Sequence, residues 1–248
     1  MKAARVLQSV ASVMTQSCEN ILVTVVDNSC SDDNFKILLS GLPRSVRLLR
    51  SEKNLGYTRA VNYAVDGVSS SYVLLLNPDV IFDKKTDCQL LLSNFSDNDV
   101  FIVGPAQIND DGSRPSTVRG YPGFWDLLAK RSVLRKIPYF RKRVDAYLLS
   151  QFDYGLKQPV PWLQSSCVLV DYGFWVRIGG LDERFFLFMA DIKICQLAYE
   201  MGGKVIYDPA VTVVADGQRC SEGGFSTILR NKALQYHVKD AIRYYTNL

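Results

Sequence analysis

The spacing of apolar residues predicts alternating helices and strands in the first third of the chain. Apolar side chains recur at helical spacing between residues 3 and 17, and a short β-branched run follows at 21–26. A second strand is predicted at 46–49, a helix around 58–65 and a wholly apolar strand at 72–76. This alternation is typical of an α/β fold, in which helices cover both faces of a mostly parallel sheet.

The second half of the chain is less regular. An apolar stretch at 163–170 predicts another strand. Helices are predicted at about 171–178 and 191–201, because each periodic run ends at a Gly-Gly pair. No internal repeat or low-complexity linker separates the halves, so we expect one domain over 1–248.

Acidic residues directly follow two of the predicted strands. Asp27 comes after the first strand and Asp79 after the strand at 72–76. Ligands of open α/β sheets bind beyond the carboxyl ends of the strands. Both acids are therefore expected to face one crevice.

Composition narrows the class of protein. The chain has 248 residues, 48% hydrophobic and 22% charged, as in ordinary folded domains. Its 29 Lys and Arg against 25 Asp and Glu leave +4, which is too little to imply nucleic acid binding. No apolar run approaches the roughly 20 residues of a membrane span, no signal peptide is evident, and the six cysteines form no C-x-x-C pair. These observations predict a cytoplasmic protein with reduced thiols.

A basic insert at 124–145 mixes cations with large apolar residues. We interpret it as a contact with an anionic membrane surface, which implies a peripheral location on the inner face of the cell membrane, or as a site for a polyanionic substrate. An ordinary solvated helical face is the alternative. The cations are Lys130, Arg131, Arg135, Lys136, Arg141, Lys142 and Arg143.

Five segments, in order, resemble the family-2 inverting glycosyltransferases of the GT-A fold, especially bacterial rhamnosyltransferase-like members. The resemblance covers roughly residues 3–220. The segments are Val25-Val26-Asp27-Asn28-Ser29-Cys30-Ser31-Asp32, Asn54-Leu55-Gly56-Tyr57 with Asn62, Leu76-Asn77-Pro78-Asp79, Val160-Pro161-Trp162, and Gly179-Gly180-Leu181-Asp182-Glu183-Arg184-Phe185-Phe186 with Ala190-Asp191.

The resemblance implies a GT-A-like (Rossmann-like) fold and an inverting sugar transfer from a nucleotide-sugar donor. The donor would be dTDP-rhamnose and the acceptor a glycan or lipid-linked glycan of a bacterial surface polysaccharide such as O-antigen. Residues 1–110 would form the nucleotide-sugar-binding half and residues 111–248 the acceptor-binding half. Mg²⁺ or Mn²⁺ would be the cofactor.

The resemblance also assigns roles to individual residues. Asp191 matches the catalytic base and Asp79 the metal-binding acid that faces the donor diphosphate. Alternative roles are a helix-capping acid for Asp191, turn acids for Asp27, Asp32 and Asp79, and core packing for Trp162. The remaining donor contacts would be Asp27, Asn28, Asp32, Asn54, Gly56, Arg59, Asn62 and Asn77, and the acceptor side would include Trp162, Asp182 and Glu183.

The sequence departs from the family pattern at several positions. Ala190 and Lys193 stand where acids are frequent, and Ala215-Asp216 replaces a metal-binding His, which puts metal affinity in doubt. A non-catalytic scaffold or glycan-binding partner of another enzyme is therefore the alternative function. The family's first strand is also absent, so we expect an unpaired edge beside residues 21–26, self-association, and weaker donor binding than in a version extended by about a dozen upstream residues.

Overall fold

The computed structural model describes residues 3–130, 132–217 and 232–246, which form a mixed α/β fold. The helices are α1 (Ala3–Met14), α2 (Asp32–Gly41), α3 (Gly56–Val65), α4 (Asp87–Leu92), α5 (Phe124–Lys130), α6 (Pro138–Tyr147), α7 (Tyr172–Ile178), α8 (Ala190–Glu200) and α9 (Lys232–Thr246). The strands are β1 (Thr24–Asp27), β2 (Arg47–Arg50), β3 (Tyr72–Leu76), β4 (Ile81–Phe82), β5 (Val100–Asn109), β6 (Val118–Arg119), β7 (Gln158–Pro159), β8 (Trp162–Leu163), β9 (Cys167–Asp171) and β10 (Lys204–Ala215).

The main sheet has the order β3–β9–β5–β10–β4, with β7 also paired to β10. Among the strands of the described residues, β5–β10 is the one parallel pair in this sheet, and the separate β1–β2 pair is parallel as well. The predicted α/β class is confirmed, but the sheet is mixed and not mostly parallel. The reason is β9, which runs antiparallel to both of its neighbours, β3 and β5. Strands β3, β5 and β10 consequently point the same way, and their carboxyl ends share one edge.

The apolar pattern located most elements correctly. The strand predicted at 72–76 coincides with β3, and the helix predicted near the start is α1, whose Val6, Val10 and Val13 are buried at helical spacing. The apolar stretch at 163–170 is divided into β8 and β9. The two strands have different partners: Leu163 of β8 pairs with Val118 of β6, whereas Cys167 at the start of β9 pairs with Leu76 of β3.

Strands β1 and β3 each keep one open edge. Strand β1 pairs with β2 alone, and β3 is the outer strand of the main sheet. Within the described part of the chain neither strand has a further backbone partner, and most of their side chains are only half-buried. Val23, which precedes β1, packs against two apolar clusters, one that includes Val6 and Leu38 and one that includes Val80 and Val103. The expectation of an unpaired edge agrees with this arrangement.

The basic insert folds as α5, a short 3-10 helix (Val133–Lys136) and α6. Arg143 of α6 donates to the Asp126 carboxylate of α5 at 2.7 Å, which ties the two helices together. Arg131 lies outside the described residues. Phe124, Trp125, Val133, Ile137 and Tyr139 are exposed large apolar side chains of this insert.

Candidate active site

The candidate base, Asp191, lies in the first turn of α8. Its Oδ1 accepts the backbone N–H of Ile192 at 3.0 Å. The helix is preceded by Met189, which has φ of +69°. A positive φ is costly for a large non-glycine side chain, so contacts elsewhere must hold this backbone in place.

Burial raises the pKa of Asp191 to about 6, against the lesser opposing effects of the Ile192 amide and the Arg119 guanidinium. Tyr57 of α3 and Cys195 of α8 also face this carboxylate, and burial raises the pKa of each. A carboxylate with a pKa near 6 is ionised at neutral pH and is a better proton acceptor than an ordinary Asp. Both properties suit a general base.

Arg119 of β6 lies near both Asp191 and Trp162. The Arg119 guanidinium carbon lies 5.7 Å from the centre of the Trp162 ring. The Trp162 indole N–H donates to the Gly120 carbonyl at 2.7 Å, and the residue is 3% exposed. Trp162 therefore packs in the core beneath Arg119, and its role as a sugar contact stays a prediction.

An amide network joins the loop after β1 to the start of α3. The Asn28 side chain donates to the Gly56 carbonyl at 2.9 Å and accepts from the Leu55 backbone at 2.8 Å. Asn54 Oδ1 accepts the Gly56 N–H at 2.9 Å. Gly56 has φ of +78°, and any Cβ there would collide with the Phe186 carbonyl oxygen. Asn28, Asn54 and Gly56 thus shape the loop that faces the segment before Asp191.

Asp27 and Asp32 have different surroundings. Asp27 is 1% exposed, and its Oδ1 accepts from Ser29 and Asn34, whereas its Oδ2 has no partner in the described structure. Asp32 is exposed and pairs with Arg50. An unsatisfied buried carboxylate oxygen is costly, so Asp27 is the stronger candidate for accepting an N–H or O–H from a ligand.

Four further predicted residues interact across α3 and the loop that follows α7. Asn62 donates to the Leu181 carbonyl at 2.8 Å and to Glu183 at 3.1 Å. Arg59 lies 3.5 Å from Glu183, with both side chains more than half exposed. Asp182 is paired with Arg184, which lowers the pKa of the Asp182 carboxyl. These contacts brace the loop and leave Arg59 open to solvent.

Asp79 and Asp216 lie side by side at the shared carboxyl edge of the main sheet. Burial raises the pKa of Asp79, and the neighbouring Asp216 carboxyl raises it further, while Arg5 opposes both. The turn carrying Asp79 is held by Asn77, whose carbonyl accepts the Val80 N–H at 3.1 Å. Two adjacent carboxylates are suitable ligands for Mg²⁺ or Mn²⁺, which prefer oxygen, although the described residues contain no group of three potential metal ligands.

Two clefts adjoin these residues. The larger, about 860 Å³, lies between α3 and α7 and includes none of Asp27, Asp79 and Asp191. The smaller, about 430 Å³, is lined by three arginines and one acid, with apolar residues between them: Arg59, Arg184, Arg243, Glu183, Leu55, Phe185 and Phe186. The smaller cleft adjoins the loop before Asp191 and supplies cations that an anionic ligand requires.

Sequence reasoning missed two residues that face Asp191. Arg119 stands in the two-residue strand β6, and Tyr57 is one of two tyrosines on α3. Neither has a distinctive sequence signal, because the approach of β6 and α3 to Asp191 is a tertiary contact. Asp216 did carry a signal, since it follows the strand that runs parallel to β5.

Curated relatives with similar sequences include two rhamnosyltransferases. The chain is 26% identical over 224 residues to the N-acetylglucosaminyl-diphospho-decaprenol L-rhamnosyltransferase of Mycobacterium tuberculosis, covering 82% of this chain and 69% of that protein. It is 23% identical over 176 residues to the rhamnosyltransferase WbbL of Escherichia coli K12, covering 70% and 61%. It is 25% identical over 186 residues to the low-salt glycan biosynthesis hexosyltransferase Agl10 of Haloferax volcanii, covering 70% and 52%.

Solved glycosyltransferases share the fold. The mannosyltransferase PcManGT from Pyrobaculum calidifontis, in complex with GDP-Man and Mn²⁺, superposes with a TM-score of 0.59 at 16% identity, covering 98% of this chain and 61% of that one. GalNAc-T7 with UDP, GalNAc and Mn²⁺ gives the same TM-score at 15% identity, covering 86% and 40%. At these identities the likeness shows the fold alone, and that fold is GT-A.

The sequence profile described as Glycosyl transferase family 2 matches residues 2–153, more than half of the chain. This range contains Asp27, the Asn54–Gly56 loop and Asp79. Asp191 and Asp216 lie beyond it, so their assignment depends on the geometry above. The match to more than half of the chain, the rhamnosyltransferase relatives and the GT-A fold together show that this protein belongs to glycosyl transferase family 2.

Proposed function

We propose that this protein is an inverting hexosyltransferase that moves rhamnose from dTDP-rhamnose to a lipid-linked or growing glycan of a bacterial surface polysaccharide such as O-antigen. The observation that carries the proposal is the half-buried Asp191 carboxylate in the first turn of α8, whose pKa is raised to about 6. Two relatives named as rhamnosyltransferases support the choice of sugar.

In the proposed reaction, the Asp191 carboxylate accepts the proton of the acceptor hydroxyl as its oxygen attacks the anomeric carbon. The bond from that carbon to the donor diphosphate breaks on the opposite face, and the configuration inverts. Asp27 Oδ2 is available to accept an N–H of the donor's pyrimidine ring. The arginines of the smaller cleft, including Arg59, lie where they can bind phosphate oxygens.

Asp79 and Asp216 would hold Mg²⁺ or Mn²⁺. When bound there, the metal ion would neutralise charge that grows on the leaving diphosphate. Both solved neighbours named above contain Mn²⁺, which is consistent with this role for the two carboxylates.

The basic insert is the proposed contact with an anionic membrane surface. Its exposed aromatic residues and the cations Arg135, Lys136, Arg141 and Lys142 share one helical region. A lipid-linked acceptor would be presented at such a surface. No helix in the described ranges has the length and apolar character needed to cross a bilayer.

The test is a transfer assay with purified protein, an N-acetylglucosaminyl-diphospho-lipid acceptor and a panel of nucleotide-sugars, with Mn²⁺ or EDTA. We expect dTDP-rhamnose to give the highest rate. We also expect NMR spectra of the product to show that the anomeric configuration of the transferred sugar is inverted. A higher rate with another donor would overturn the rhamnose assignment. Absence of both transfer and donor hydrolysis across the panel would favour the non-catalytic scaffold.

A further inference from the structure

A buried acid on the last helix holds the loop that leads to Asp191. Asp240 of α9 is 0% exposed. Its Oδ1 accepts the backbone N–H of Phe186 at 3.0 Å, and its Oδ2 accepts those of Leu187 and Phe188, each at 2.9 Å. One side chain therefore satisfies three successive backbone donors.

The rest of α9 reinforces this contact. Tyr236 stacks on Phe186 with ring centres 4.0 Å apart, and His237 lies 4.5 Å from the Phe188 ring. Arg243, one turn beyond, donates to the Arg184 carbonyl at 2.6 Å and lies 3.7 Å from Asp240. The loop is thus clamped along its length by one face of α9.

The opposite side of the same loop contacts α3. The Phe186 carbonyl accepts the Tyr57 N–H at 2.6 Å, and the Phe185 carbonyl accepts the Thr58 hydroxyl at 2.5 Å. The loop then passes through Met189, with its φ of +69°, into the first turn of α8. A strained residue two positions before Asp191 keeps its conformation only if the preceding segment is fixed.

We propose that Asp240 is a positioning residue: by binding the amides of Phe186, Leu187 and Phe188, it fixes the position of the Asp191 carboxylate at the start of α8. The inference rests on the proposed function, in which Asp191 is the base. Both carboxylate oxygens of Asp240 are used as acceptors, one for the Phe186 amide and the other for the amides of Leu187 and Phe188. Asparagine at this position would present an N–H₂ group to at least one of the N–H donors.

The test compares the intact wild-type chain with Asp240→Asn. A matched control is Asp208→Asn, since Asp208 is also buried and accepts from a backbone amide, that of Ala210, at 2.9 Å. The first readout is the titration of Asp191, followed by NMR with ¹³C-labelled aspartate and assigned with Asp191→Asn. The second is hydrogen exchange at the amides of residues 186–188, and the third is kcat and KM for transfer.

In the wild type we expect Asp191 to titrate at about 6. In Asp240→Asn, Asp191 should become more accessible to water, so its titration should move towards the ordinary value of about 4. Tyr57, Arg119 and Cys195 are the other ionisable groups that face Asp191, and all three are unchanged in this variant. Exchange at 186–188 should accelerate, and kcat should fall by roughly 10- to 100-fold with donor KM changed less than about threefold.

An unchanged Asp191 titration in Asp240→Asn, with loss of thermal stability alone, would overturn the positioning role. If Asp240→Asn does not fold, Asp240→Glu tests the same point: it keeps the charge, and its Asp191 titration should lie between those of the wild type and an ordinary Asp. A wild-type-like titration in Asp240→Glu at reduced kcat would also refute the proposal. If the titration shifts as expected but no donor supports transfer by the wild type, the proposed function fails and the positioning of Asp191 stands.

Discussion

At the scale of single residues, proton transfer at neutral pH depends on where one carboxylate is placed. Asp191→Asn removes the proton acceptor and keeps the shape, so turnover should fall by roughly 10²- to 10⁴-fold with donor affinity nearly unchanged. Steady-state kinetics and donor titration measure the two effects. Turnover within a few-fold of the wild type would exclude Asp191 as the base, and Glu200→Gln, at the exposed far end of the same helix, is the control.

The pH profile of the wild type follows from the same carboxylate. A base must be ionised, and the pKa of Asp191 is raised to about 6, so kcat should decline as pH falls through about 6 and level off above about 7. For an unperturbed Asp, the decline would come near pH 4. A kcat that stays constant down to pH 5 would contradict this assignment, provided that circular dichroism shows the protein to be folded at that pH.

Asp79 is expected to act through a bound cation. Asp79→Ala removes one of the two adjacent carboxylates, so stimulation by Mn²⁺ should disappear and donor KM should rise. Asp83→Ala, an exposed acid a few residues further along, is the matched control and should keep the metal response. Metal stimulation that survives in Asp79→Ala would remove Asp79 from the metal site.

At the scale of secondary-structure elements, the open edges of β1 and β3 should limit stability and promote self-association. Arg5, at the start of α1, donates to the Asp79 carbonyl at 2.9 Å, so α1 begins at the carboxyl edge of β3. A strand placed before α1 could therefore pair with an open edge of β1 or β3. The described part of α9 packs elsewhere, on the loop at 186–188, and residues 218–231 lie outside the described ranges.

We expect an N-terminal extension of about a dozen apolar, strand-forming residues to stabilise the fold and to tighten donor binding. The melting temperature should rise by about 2–4 °C for each kcal/mol added to the free energy of unfolding. A Gly/Ser extension of equal length is the control. Calorimetry, donor titration and size-exclusion chromatography give the three measurements. Equal melting temperatures for both extensions would show that the open edges of β1 and β3 do not accept the added strand.

At the scale of the whole molecule, the exposed basic and aromatic insert gives the protein one face suited to an anionic bilayer. Each cation that contacts the vesicle should contribute about 1 kcal/mol to the binding free energy. This contribution should decrease as the salt concentration rises. Replacing Arg141 and Lys142 by Ser should reduce sedimentation with phosphatidylglycerol vesicles, whereas replacing the exposed Lys84 and Lys85 should not. Arg143 is left intact because it joins α5 to α6 through Asp126. Failure of the wild type to sediment at low salt would refute the membrane contact.

The sequence by itself determined the class of fold, most of the elements and the family. Apolar periodicity is a local property, so it located β3 and α1, and strand ends marked Asp27 and Asp79 as site candidates. The roles of the predicted donor and acceptor contacts, and the division into a donor half and an acceptor half, stay predictions.

Only the tertiary structure decided which of these residues meet. The mixed order of the sheet follows from β9 lying antiparallel between β3 and β5, which no local pattern encodes. The electrostatic interactions of Asp191 with Arg119 and Tyr57, and the hydrogen bonds of Asp240 to the loop at 186–188, join residues far apart in the chain. Burial raises the pKa of Asp191 because several elements close around it, and the chain must fold before that environment exists.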